Sequence, residues 1–155
     1  MVDFAELFAA EMRRRREEAE LAQEALGAIV GLDRASISRL ERGSLNISLE
    51  KAKAIADALG VSLASMLGDP NPARDDQIQT TFRERVHSLR TERDLKQREL
   101  AERMGVDRNL VSGIESGKRS VTLKTLQLYC TGFDVKPSDL LSEPKPIAGP
   151  GQSPR

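Results

Sequence analysis

Two stretches of this chain carry an arginine and a serine four residues apart, with a further side chain able to hydrogen-bond the exposed edge of a nucleobase. The residues are Arg34, Ser38 and Arg39 in the first, and Arg108, Asn109 and Ser112 in the second. A guanidinium can hold O6 and N7 of guanine with two parallel bonds, and a carboxamide can do the same with adenine. Little else offers chemistry. One cysteine, Cys130, and one histidine, His87, leave no Cys/His or Ser/His/Asp set for nucleophilic catalysis and no multi-cysteine metal site. No enzymatic activity, cofactor or metal is expected from that inventory.

The elements that must position these residues come as a repeat. Shifted by 74 residues, the chain aligns with itself without a gap: Phe8 meets Phe82, Arg16 Arg90, Gln23 Gln97, and Leu26 Leu100. Gly31, Asp33, Arg34, Ser38, Glu41 and Gly43 meet Gly105, Asp107, Arg108, Ser112, Glu115 and Gly117. The repeat predicts one domain over 1–68 and a second over 79–142. A short linker over 69–78, containing Pro70 and Pro72, reads as extended. The Pro/Gly-rich tail over 143–155 reads as disordered.

Each copy reads as five short helices, so an all-α fold is expected. Asp3 with Glu6 forms a capping box before the stripe Phe4, Phe8, Met12, and Thr81 with Glu84 brackets Phe82 in the same way. Helix two covers about 23–30 and 97–104, ending at Gly31 and Gly105, which tolerate a left-handed cap. Asp33 and Asp107 cap helix three, about 34–42 and 108–116. Ser48 and Thr122 cap helix four. Helix five begins near Ser62 and at Pro137. Ile37 with Leu40, and Val111 with Ile114, must face the core. That turns Arg34, Ala35, Ser38 and Arg39 outward, and Arg108, Asn109, Ser112 and Gly113 in the second copy.

A chain of 155 residues with 39% hydrophobic and 31% charged content suits two small soluble domains. No apolar run could span a bilayer, and the acidic N-terminus is unlike a signal peptide. A cytoplasmic, nucleoid-associated protein with no membrane partner is expected. Zero formal net charge argues mildly against nucleic acid, but the charge is uneven. Residues 1–68 carry 9 basic against 11 acidic side chains, net −2, and residues 79–142 carry 12 against 9, net +3.

Two short helices joined by a glycine turn, the second polar on its outer face, form a helix-turn-helix. Leu21-Ala22-Gln23 through Ile37-Ser38-Arg39-Leu40-Glu41-Arg42-Gly43 resembles the Cro and lambda-repressor (XRE) family, as does Leu95-Lys96-Gln97 through Val111 to Gly117. The tails Leu59-Gly60-Val61-Ser62 and Val135-Lys136-Pro137-Ser138 fit it too. The resemblance implies two tandem five-helix lambda-repressor-like domains and a double-stranded DNA operator as partner. It also implies that the chain regulates transcription, more often as a repressor, with helix three entering the major groove. It places Gln23 and Gln97 where similar proteins touch a phosphate and brace helix three. The loop after helix three lies near the DNA backbone, where Lys118-Arg119 suits phosphate better than Ser44-Leu45-Asn46. It pairs Arg16 with Glu41, and Arg90 with Glu115. Helix two lacks the usual Ser or Thr cap, having Ala22 and Lys96, and Gly113 removes a reading side chain.

Other readings stay open at this point. One is an antitoxin holding a toxin partner, and another is an interaction module using one copy for homodimerisation. Arg13 to Arg16 sits among Glu17, Glu18 and Glu20 and reads as a solvated face with pairs inside the helix. Cys130 and Tyr129 align with Ala56 and Ile55 and read as core, whereas His87 reads as a surface residue with no partner in view.

Overall fold

A computed structural model describes residues 3–44, 46–69 and 78–141. Its first five helices are α1 (Phe4–Glu18), α2 (Gln23–Val30), α3 (Arg34–Glu41), α4 (Leu49–Ala58) and α5 (Leu63–Met66). The second five are α6 (Ile78–Glu92), α7 (Gln97–Met104), α8 (Arg108–Glu115), α9 (Leu123–Phe133) and α10 (Pro137–Leu141). Among the described residues there is no strand, only one isolated bridge. The chain is two tandem all-α domains. The 70–77 stretch of the expected linker and the tail from 142 onward lie outside the described residues, as does Leu45.

The helix starts depend on short polar side chains that accept otherwise orphaned N–H groups. Asp3 accepts from Ala5 and Glu6, Ser48 from Lys51, Ser62 from Ser65, and Thr122 from Thr125. Thr81 does not cap. The second copy's first helix begins three residues earlier at Ile78, and Thr81 is buried inside it. Ile78 is itself buried, and an apolar residue that gains a core contact carries the helix past the polar signal.

Core positions repeat with the sequence. Phe8, Leu26, Ile37, Leu49 and Ile55 are buried, and so are Phe82, Leu100, Val111, Leu123 and Tyr129. One continuous apolar cluster runs through both copies. Phe82 meets Tyr129 edge to face at 5.3 Å, so the aromatic pair lies in the second copy. Tyr129 is core, and its buried hydroxyl has no hydrogen-bond partner among the described residues. Cys130 is buried as well, and burial, with Asp139 and Asp69 nearby, pushes its thiol up to about 12. It is a small core side chain and not a nucleophile at neutral pH.

The contact between the copies is nearly symmetric. The Leu49 N–H donates to the Val121 carbonyl at 2.8 Å, and the Leu123 N–H donates to the Ile47 carbonyl at 3.0 Å. Both donors and both acceptors are 74 residues apart, and Ser48 stands opposite Thr122 in an antiparallel bridge. The same reciprocity holds between helices: α1 touches α9, α4 touches α6, and α5 touches α10. This is the arrangement of an isologous two-fold dimer, made within one chain. The symmetry is not complete. Gln127 accepts from the Phe4 N–H at 2.9 Å across the contact, and within the second copy Gln79 holds both backbone groups of Val121. Asp69, expected in the short extended linker, is buried and accepts from the Ser138 N–H at 3.0 Å in the first turn of α10. The start of the linker thus caps the last helix of the second copy.

Candidate nucleic-acid interface

Each outward-facing helix is placed by a fixed turn. Gly31 and Gly105 end α2 and α7 in the left-handed region (φ 74° and 69°), which glycine adopts without strain. Asp33 then accepts from the Ser36 N–H at 2.7 Å, and Asp107 from the Asn109 N–H at 2.8 Å, starting α3 and α8. Ile37 and Leu40 bury one face of α3, and Val111 and Ile114 bury the matching face of α8.

The opposite faces carry the expected residues. Arg34, Ala35 and Arg39 are exposed, with Ser38 half-buried; Arg108 and Asn109 are exposed, with Ser112 half-buried. Lys118 and Arg119 are exposed just beyond α8. Arg39 reaches the Ser36 hydroxyl only at 3.4 Å, which leaves it free to turn to another partner. Gln23 and Gln97 are both half-buried at the start of α2 and α7, and among the described residues only Gln23 of the two is engaged: its amide donates to Glu41 Oε1 at 3.2 Å.

Both faces are clamped to their domains by a repeated ion pair. Arg16 meets Glu41 with two bonds, 2.6 Å from Nε and 3.0 Å from Nη2, and Arg90 meets Glu115 with two of 2.8 Å. The third arm donates to a carbonyl, Leu21 at 2.7 Å or Leu95 at 2.8 Å. Those carbonyls are brought round by Glu20 and Asp94, both left-handed at φ 56° and 55°. The side chains are 11% and 4% exposed in the first pair, and 14% and 6% in the second. Such forked pairs fix orientation as well as distance.

His87, expected to stand alone, lies 2.8 Å from Glu115 Oε1, on the oxygen whose counterpart in the first copy receives Gln23. Nothing in the sequence marks this contact, because position 87 aligns with Arg13 and the two side chains part company. Burial works to raise the Glu115 carboxyl, but the hydrogen bonds from Arg90 and His87 outweigh it and hold the group below its ordinary 4.5. A carboxyl depressed by folding contributes stability above its unfolded value, and that contribution is lost as pH falls through the folded one. The denaturation midpoint should therefore drop on acidification below about pH 4.5, and Glu115→Gln should flatten that drop. An unchanged slope in the variant would contradict the assignment.

The arginine run is consumed locally. Arg13 pairs with Glu17, Arg14 with Glu11 and Glu18, and Arg15 with Glu11. Only Arg16 turns inward to the clamp. Two features of the interface escape the sequence. Asn46 gives its side chain to the other copy, donating to Thr122 Oγ1 at 3.1 Å and accepting from the Lys124 N–H at 3.3 Å. The Arg83 guanidinium lies across Gly117, whose φ of 80° also favours glycine. Among the described residues no cluster of His, Cys, Asp or Glu could hold a metal, and no helix is long and apolar enough to cross a membrane.

A helix-turn-helix family model matches the chain twice, over residues 12–65 and 86–140. Over 55 residues the chain is 36% identical to control protein C.MunI of a Mycoplasma species, covering 36% of this chain and 74% of that protein. It is 37% identical over 60 residues to antitoxin PezA of Streptococcus pneumoniae, covering 39% of this chain and 38% of that protein. It is 34% identical over 62 residues to the cryptic phage CTXphi transcriptional repressor RstR of Vibrio cholerae, covering 40% of this chain and 56% of that protein. No solved structure matches the chain.

Proposed function

The chain belongs to the XRE-type helix-turn-helix family, and from that premise we propose that it is a sequence-specific DNA-binding regulator of transcription, acting as a repressor. One chain reads one operator, with α3 in one major groove and α8 in the next. The observation that carries this reading is the reciprocal pairing of Leu49 with Val121 and of Leu123 with Ile47. A two-fold relation between two groove-reading helices matches the two-fold relation between successive grooves of a duplex. The bridge residue, Ser48 or Thr122, comes seven positions after the end of each reading helix at Glu41 or Glu115. Seven such steps span at most about 25 Å, a reach compatible with half-sites about 34 Å apart. Because the reading faces differ, the half-sites differ in sequence. A control protein and a repressor among the relatives support regulation over catalysis.

Within that reading Arg34, Ala35, Ser38 and Arg39 face bases of one half-site, and Arg108, Asn109 and Ser112 face the other. Gln97 and Lys118 meet phosphate, whereas Gln23 acts through the clamp. The second copy, net +3 with Lys118 exposed, supplies most of the salt-sensitive affinity. Lys118→Ala should weaken binding to every sequence alike and lower the salt slope by about one unit. Arg34→Ala should relax preference at one base pair by about 1–3 kcal/mol. Titrating both variants against matched and mismatched duplexes at two salt concentrations checks this. A wild-type chain that binds all duplexes equally would overturn the proposal. The similarity to an antitoxin favours a second reading, in which a further surface holds a toxin; co-purification of a small partner would support it.

A further inference from the structure

Residue 113 stands on α8 where Arg39 stands on α3, and it is glycine. A Cβ built there would lie 2.9 Å from Arg119 Cγ, 3.0 Å from Cδ and 3.3 Å from Nε. The Arg119 stem therefore rests on bare helix backbone, in space that any larger residue would fill. The loop is held in that path: the N–H groups of Lys118 and Arg119 donate to the Gly113 carbonyl at 2.9 and 3.1 Å, and the Ser116 hydroxyl donates to it at 3.2 Å. The first copy makes the same turn, with the Ser44 N–H and hydroxyl on the Arg39 carbonyl at 3.1 and 3.0 Å. There the arginine leaves the helix itself.

Glycine is a poor helix former, so its place in the middle of α8 asks for a reason, and the overlying stem is one. Arg119 is exposed, and its guanidinium makes no hydrogen bond or ion pair among the described residues. Resting on the proposed reading of α8 as a groove-entering helix, we infer that Arg119 is the second copy's base-reading arginine. It is delivered from the loop across Gly113 to the position that Arg39 fills from the helix. Lys118 beside it keeps the phosphate contact. The two half-sites thus each present a guanidinium at matching positions, by different routes, and a guanine is the base each suits best.

The test uses the full chain. An operator is selected from a randomised double-stranded DNA library, and base-substituted versions are then titrated at two salt concentrations. Arg119→Ala should lose about 5- to 150-fold discrimination at one base pair of the second half-site, the equivalent of one bidentate contact, and keep its salt slope. Adding Gly113→Arg to Arg119→Ala should restore a guanine preference there. If Arg119→Ala instead weakens every duplex equally and lowers the salt slope by about one unit, the residue is a phosphate contact and the inference fails. A wild-type chain that selects while Arg119→Ala selects identically also defeats this inference, leaving the proposed function standing. A wild-type chain that selects no sequence defeats both.

Discussion

Arg16→Ala should lower the stability of the whole chain by about 3–5 kcal/mol, and Glu41→Ala by a similar amount. The cost arises because each partner, once alone, is a charge left in a nearly closed site: Glu41 is 4% and Arg16 11% exposed. Removing Arg16 also strips the Leu21 carbonyl of its donor and leaves neutral Gln23 as the remaining ligand of Glu41. The double replacement Arg16→Ala with Glu41→Ala should cost clearly less than the sum of the two, since no unpaired charge remains. Arg16→Lys should not rescue, because an ammonium cannot fork across both carboxylate oxygens and reach the carbonyl as well. Chemical denaturation of the four variants beside the unsubstituted chain decides the matter. A loss under about 1 kcal/mol for either single variant is the behaviour of an exposed surface pair and would contradict the burial of this one. The apolar cluster runs through both copies, so the loss should shift one cooperative transition and not only that of the first half.

Insertion of about 5 base pairs between the two half-sites should weaken binding by about 10²–10⁴-fold, as much as deleting one half-site. Half a turn carries the second groove to the far side of the duplex. Two domains on a slack tether would recover much of the loss when the insertion is extended to a full turn of about 10 base pairs. Here the full-turn insertion should stay weak, because the bridge at Ser48 and Thr122 and the α1–α9 and α4–α6 contacts hold the two faces at one separation. Titration of the three duplexes at one salt concentration reads the effect. Recovery at a full turn would mean that the copies part on DNA.

The fold within each copy is legible in the sequence because its signals are local. Gly31 and Gly105 need a left-handed backbone, Asp33 and Asp107 cap α3 and α8, and Ile37 with Leu40 fixes the buried side of α3. The outward residues are then set by elimination, and all of those named are exposed or half-buried. The illegible part depends on how one copy meets the other. Ile47 and Val121 sit in loops, where no periodicity shows that their carbonyls will be shared across a two-fold. Asn46 reads as a weak phosphate ligand because its work for Thr122 and Lys124 lies in the other copy. Asp69 reads as a spacer acid for the same reason. Thr81 reads as a cap, and the burial of Ile78 overrides it. Gly113 reads as a loss of function within one helix; the residue that fills its space lies six positions on, after a turn that reverses the chain.

In the proposed function one chain, folded on itself as a dimer would be, occupies both halves of an operator. The measurement that tests it most directly is the mass of the complex between the full chain and its selected duplex, together with the footprint on that duplex. One chain per duplex is expected, protecting two half-sites of unlike sequence in successive major grooves. Two chains on a palindrome built from a single repeated half-site would contradict it.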